Sequence, residues 1–262
     1  MHRVELRIEV RFGCCVTPDL IEAAAAAGYD YVELPVAAVL PERPEAEFRS
    51  VRERLLSAAL KPEAWRLLLP PGLKVAGPNV DWPRAARYAY TALRRIADVG
   101  GAIVAFGSAE GRRAPEGFSV DEALDQITEF LRVCGATARS RGLVVGIEPL
   151  SQSRCNVINS VPEAVRLARA VSMPEIAVLP DAFHMALDGQ SPHDVVDAAE
   201  WLAHVHVSAS PALPGDGDWT REFAQALRMA DYDWRISVES DWKTVDLAEA
   251  LDRVRGQFGA TR

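Results

Sequence analysis

An eightfold alternation constrains this chain more than any other feature. A short apolar run, a polar or Gly/Pro break and a longer amphipathic stretch follow one another through the 262 residues. Short apolar runs bounded by breakers suit strands buried on both faces, and stretches with a 3.6-residue period suit the helices that cover them. The pattern predicts strands over 8–15, 31–34, 65–69, 102–106, 143–147, 176–179, 203–207 and 235–238. It predicts helices over 17–27, 44–59, 83–99, 120–140, 161–171, 221–229 and 245–257, with two short segments near 182–186 and 193–199. Thr17-Pro18-Asp19 reads as a helix start, and Gly28 as the left-handed residue that ends that helix.

Strands that alternate with helices run parallel and are joined by crossovers. Eight such units in a chain of this length are the size of a closed barrel. The expected fold is therefore α/β, a (β/α)8 TIM barrel, as a single domain over 1–262. An open doubly wound sheet is the runner-up. It usually carries a Gly-rich fingerprint after the first strand, and Gly13-Cys14-Cys15 is not one.

Charge narrows the partners. The formal net charge is −8, whereas a chain that grips nucleic acid through phosphates carries surplus Lys and Arg. Nucleic acid is not expected as a partner. The four cysteines include adjacent Cys14 and Cys15 and form no CxxC pair, which points to a reducing, cytoplasmic setting. No membrane partner is expected, since the N-terminus lacks a long apolar run and stretches such as 23–27 are too short to span a bilayer.

The chemistry sits at the ends of the last four strands. Strand five runs into Glu148, strand six into Asp181, strand seven contains His204-Val205-His206, and strand eight runs into Glu239. The gaps of 33, 25 and 33 residues each match one strand-plus-helix unit. A closed barrel would bring all four side chains to the rim where barrel enzymes build their sites. Three carboxylates and an imidazole suit one hard divalent ion, Mn2+ first, with Mg2+, Co2+ or Zn2+ as alternatives. Taken singly, each residue is an ordinary polar strand end; it is the register of all four that points to a metal. His204 shares a strand face with His206 and is expected as a satisfied inner-layer histidine. His184, just past strand six, is open to binding substrate, binding a second metal or capping its loop. A metal that chelates adjacent carbonyl and hydroxyl oxygens acidifies the neighbouring C–H. Glu148 and Glu239, entering three strands apart, could then take and return a proton on opposite faces through an enediolate.

Several segments carry a resemblance that runs nearly end to end. They are Gly28-Tyr29-Asp30-Tyr31-Val32-Glu33-Leu34, Phe106-Gly107-Ser108, the run from Arg112-Arg113 to Phe118, Ile147-Glu148-Pro149-Leu150 with Asn156, Asp181-Ala182-Phe183-His184-Met185, His204-Val205-His206 and Ser237-Val238-Glu239. In these the chain resembles the xylose-isomerase-like barrels, and within them the sugar phosphate isomerase/epimerase and ketose 3-epimerase branch. The resemblance implies Glu148, Asp181, His206 and Glu239 as metal ligands, and Glu148 and Glu239 as the acid/base pair. It implies His184 against substrate hydroxyls, with Glu33, Arg112, Arg113 and Asn156 at the same mouth. It also implies a small sugar or sugar derivative as the partner, and leaves a homo-oligomer open.

Two positions depart from the pattern. Where related epimerases read Asn-x-x-Glu after the Glu-Pro-Leu segment, this chain has Ser151 and Arg154, and Ala212 stands where some relatives carry Arg. The expectation is a retained metal chemistry with an altered substrate shell, in which Arg154 pairs with a carboxylate or phosphate, or a bulky aglycone is bound. The function expected is a metal-dependent sugar isomerase or epimerase. The alternatives are a lyase or dehydratase acting on keto-sugars or oxidised C-glycosides, and a non-catalytic sugar-binding barrel. An abasic-site endonuclease would need a His-rich multi-zinc cluster, and this chain has five His.

Overall fold

The structure, a computed structural model, describes residues 10–209 and 217–259. The elements in chain order are β1 (Arg11–Cys15), α1 (Ile21–Ala27), β2 (Tyr31–Pro35), α2 (Glu45–Ser57), β3 (Pro62–Arg66), α3 (Trp82–Asp98), β4 (Ile103–Phe106), α4 (Ala109–Arg112) and α5 (Val120–Arg139). They continue with β5 (Val144–Ile147), α6 (Val161–Val171), β6 (Ile176–Val178), α7 (Ala182–Leu187), α8 (His193–Asp197), β7 (Val205–Ser208), α9 (Asp218–Met229), β8 (Arg235–Glu239) and α10 (Leu247–Phe258). The expected start of the first strand and the departure at Ala212 lie outside the described residues.

Local chemistry sets the element ends. Gly28, at φ 91°, closes α1 by donating its N–H to the carbonyls of Ala24 and Ala25. Ser119, Ser160 and Asp246 accept N–H groups at the starts of α5, α6 and α10. Pro83 and Pro162 occupy first-turn positions, where their missing N–H costs nothing.

All strand pairs are parallel, in the order β6-β5-β4-β3-β2-β1-β8-β7. The two end strands meet through parallel bridges, Val178 with Leu202 and Asp181 with His206. There the Ala203 N–H donates to the Val178 carbonyl at 3.1 Å, and the His206 N–H to the Pro180 carbonyl at 3.0 Å. The sheet is thus a (β/α)8 barrel, closed at its β6–β7 seam.

The two-residue side-chain period fills the barrel in layers. Tyr31, Ala64 and Ile103 form one buried layer. Below it, at the N-terminal end, Glu63 accepts from both Arg11 and Arg235 at 2.8 Å, a charged plug that ties β1, β3 and β8. Above it, the same inward faces carry Glu33 and Arg66, each two residues further along its strand.

One element departs from the sequence pattern in a way that matters for the site. The third strand ends at Arg66, not at residue 69. Leu67 turns the chain, with φ 58°, a left-handed conformation unusual for a β-branched or bulky side chain. The apolar run 67–69 thus leads out of the barrel instead of forming the strand's interior.

Gly13 shows how tightly the interior is filled. A Cβ there would stand 2.2 Å from the Tyr31 ring, which is fully buried. Gly13→Ala should lower the unfolding free energy by about 1–3 kcal/mol through overpacking, read from urea denaturation.

Candidate metal centre

At the C-terminal rim, three carboxylates converge on one imidazole nitrogen. His206 Nδ1 lies 3.2 Å from Glu148 Oε1, 3.7 Å from Asp181 Oδ2 and 3.9 Å from Glu239 Oε2. These side chains come from the ends of β5, β6, β7 and β8, four consecutive strands. Ligand atoms of Asp181, His206 and Glu239 lie within 4.8 Å of one another, as do those of Glu148, Asp181 and His184. Glu148, Asp181 and His206 are buried, while the Glu239 side chain is 45% exposed and faces the mouth.

Each ligand candidate has its other side occupied. Asp181 uses Oδ1 to accept the His184 N–H at 3.0 Å, capping α7 and leaving Oδ2 for the centre. Glu148 stands over Gly107, where a Cβ would sit 1.6 Å from Glu148 Oε2; the carboxylate occupies space that only glycine leaves free. His206 turns its second nitrogen away from the centre, with Nε2 3.0 Å from Glu33 Oε1. The other Glu33 oxygen lies 2.8 Å from His204 Nε2, which also lies 3.0 Å from Ser237 Oγ. Ser237 in turn meets the Tyr31 hydroxyl at 3.0 Å. A buried polar chain thus runs from the centre through β7, β2 and β8, with His204 in the inner layer expected for it.

The electrostatics follow from this crowding. Burial raises the Glu33 carboxyl, but the imidazoles of His206 and His204 overcome that and hold it well below the usual carboxylate range. Burial works to lower His206, yet Glu33 and Glu148 push it well above an ordinary histidine. Burial, aided by the charge of Glu148 and opposed by His184 and His206, pushes Asp181 up to about 6. Glu33 and Glu148 thus favour the positively charged form of His206.

The residues fit a divalent cation. The donor set is three carboxylates and a nitrogen, and each carboxylate has an oxygen turned to the centre. Among the described residues the buried Nδ1 of His184 has no hydrogen-bond partner although it belongs to a residue of the same cluster.

The remaining expected residues are distributed differently. Glu33 is fully buried beneath His206 and is not open to the mouth. Arg112 is also fully buried, and its guanidinium is spent on the carbonyls of Phe106 at 2.6 Å and Glu148 at 2.7 Å. It fixes the ends of β4 and β5 instead of reaching a substrate. Arg113 is exposed and donates to the Arg154 carbonyl, and the Arg154 side chain itself is exposed. Asn156 clasps the backbone of Ala114 in both directions, at 3.1 and 2.9 Å, joining the β4 and β5 loops. A residue not singled out from sequence, Arg66, stands in the mouth with Nη1 3.3 Å from Glu239 Oε1.

The sequence profile of the xylose isomerase-like TIM barrels matches residues 21–256. The chain belongs to that family. This xylose isomerase-like barrel is 29% identical over 171 residues to the 3-dehydro-D-guloside 4-epimerase of Escherichia coli K12, covering 60% of this chain and 64% of that one. It is 27% identical over 138 residues to a probable ketose 3-epimerase of Synechocystis, covering 48% and 47% respectively. The matched span is thus under two thirds of either relative's length. The crystal structure of a D-psicose 3-epimerase with D-tagatose, from Clostridium cellulolyticum H10, superposes with a TM-score of 0.81 at 18% identity, over 96% of this chain and 100% of that chain. That likeness establishes the shared fold. Among the described residues no helix is long and apolar enough to cross a membrane.

Two expectations follow for metal uptake. Glu33→Gln removes the charged partner of His206 and should weaken Mn2+ binding by about 10–100-fold, measured by calorimetric titration. Ligands bind metal only when deprotonated, so the Asp181 proton, half-lost near pH 6, and the His206 proton, held above the usual histidine range, must both leave. Mn2+ affinity should therefore rise with pH, first as the Asp181 proton is lost near pH 6 and further as His206 gives up its proton, with protons released on binding.

Proposed function

We propose that this chain is a divalent-metal-dependent epimerase or isomerase of sugars or sugar derivatives. The observation that carries the reading is the convergence of Glu148, Asp181 and Glu239 on His206 Nδ1 at the barrel mouth. The names of the two curated relatives, both epimerases, support the reaction class. Glu148, Asp181, His206 and Glu239 would hold the ion, for which Mn2+ fits first and Mg2+, Co2+ or Zn2+ are alternatives. When bound, such an ion polarises a carbonyl and acidifies the adjacent C–H.

The chain's own residues then handle the proton. Glu148 and Glu239 enter from β5 and β8, one buried and one facing the mouth, and can address a substrate carbon from two sides. One carboxylate takes the proton and the other delivers one to the opposite face, which inverts that carbon. His184, whose Nδ1 has no partner among the described residues, would meet a substrate hydroxyl. The four cysteines are unpaired and buried, in keeping with a reducing, cytoplasmic setting.

The test is solvent exchange. The Mn2+-loaded protein in heavy water, given a panel of ketoses and keto-glycosides, should incorporate deuterium at the carbon beside the carbonyl, and a chelator should abolish it. Glu148→Gln and Glu239→Gln should each slow incorporation by about 10²–10⁴-fold while the sugar still binds. Binding with no exchange for any member of the panel defeats the epimerase reading in favour of a sugar-binding barrel. Exchange accompanied by a cleaved or dehydrated product assigns a lyase.

A further inference from the structure

Arg66 is a cation in the mouth, bonded to Glu239, that no part of the proposed proton chemistry uses. It ends β3 on the same inward face as Ala64, a member of the buried inner layer. Its side chain is only 21% exposed. Among the described residues the guanidinium makes a single long hydrogen bond, 3.3 Å, to Glu239 Oε1, while its buried Nε has no partner. Nε is thus a donor buried without a partner, which is costly, and the Nη donors have capacity left over for a ligand. The chain also bends sharply right after it, at Leu67 with φ 58°. Backbone strain of this kind persists where surrounding structure holds it and gathers at ligand sites. Here it is what stops the strand at Arg66 and leaves that side chain at the rim.

The local charge specifies what Arg66 can take. Glu148, Asp181 and Glu239, together with Glu33 behind His206, outweigh one divalent ion and Arg66 by one negative charge, so the mouth tolerates little further anionic charge. A guanidinium with Nη donors to spare accepts a monoanionic planar group in two parallel hydrogen bonds. A dianionic phosphate would bring twice that charge to a mouth already rich in carboxylates. Arg154, the cation suggested by the sequence, lies exposed on the β5 loop.

We propose that Arg66 is a specificity-determining residue that binds a carboxylate on the substrate, so that the substrate class is a keto-sugar acid. The assignment rests on the metal-dependent epimerase reading of the same mouth. Arg66 holds the carboxylate end, and the reacting carbon lies toward Glu239, to which the same guanidinium is hydrogen-bonded.

The test uses three non-reacting probes of equal carbon length on the Mn2+-loaded protein: gluconate, glucitol and glucitol 6-phosphate, each titrated by calorimetry. Wild type should bind gluconate about tenfold or more tighter than either of the others, the range a charge-assisted pair supplies. Arg66→Met and Arg66→Gln, measured side by side so that a folding defect in one leaves the other, should bind gluconate and glucitol within about threefold. A gluconate preference that survives in a folded variant assigns the carboxylate to the metal alone and overturns the proposal. Equal binding of gluconate and glucitol by wild type, or tighter binding of the phosphate, overturns it as well. Mn2+ titration of the same samples separates the two levels. Protein that takes up no metal defeats the reading of the site, whereas metal-loaded protein without gluconate preference defeats only the role of Arg66.

Discussion

Closure of the sheet between β6 and β7 is the constraint on which the site depends. Those strands are three and four residues long, and two backbone hydrogen bonds with two bridges join them. One of those bridges pairs Asp181 with His206, so the contact that closes the barrel is also the contact that sets two ligand candidates side by side. Glu148 and Glu239 then arrive from the flanking strands by ordinary parallel pairing, Ile147 opposite Val178 and Ser208 opposite Glu239. In an open sheet these four side chains would lie along a line and share no centre.

Burial makes the arrangement specific. His206 is nearly inaccessible and is held from both ring nitrogens, by carboxylates of the rim on one side and by Glu33 on the other. Because Glu33 is itself shared with His204, and His204 with Ser237, the ring has one orientation that satisfies every partner. The exposed end of the set is Glu239, whose hydrogen bond comes from Arg66. The mouth is thus graded from a rigid buried floor at His206 to an open edge at Glu239.

The barrel and the four convergent side chains were legible because they depend on features a sequence records directly. Apolar runs of strand length, breakers at unit spacing and a metal-competent residue at the end of each of the last four strands all survive small errors in strand boundaries. Arg66 was not legible for the opposite reason. The run Leu67-Leu68-Leu69 looks like strand interior, so the third strand was expected to continue through it, and Arg66 then fell near its start. The left-handed turn at Leu67 reverses that, and nothing in three leucines announces it. The place of Glu33 is a contact across the barrel, 173 residues from His206 in sequence, and spacing cannot reveal which strands face one another. Arg112 was expected at the mouth with Arg113. The short helix α4, absent from the sequence pattern, turns Arg112 inward onto two carbonyls while Arg113 faces outward.

The Asn156 amide, which pairs with the Ala114 backbone in both directions, has a consequence for traffic at the mouth. It staples two neighbouring rim segments into one plate, and the Arg113 guanidinium on the Arg154 carbonyl adds a second fastener. Those segments cannot then swing independently, so admission of a ligand on that flank would require the plate to tilt as a whole.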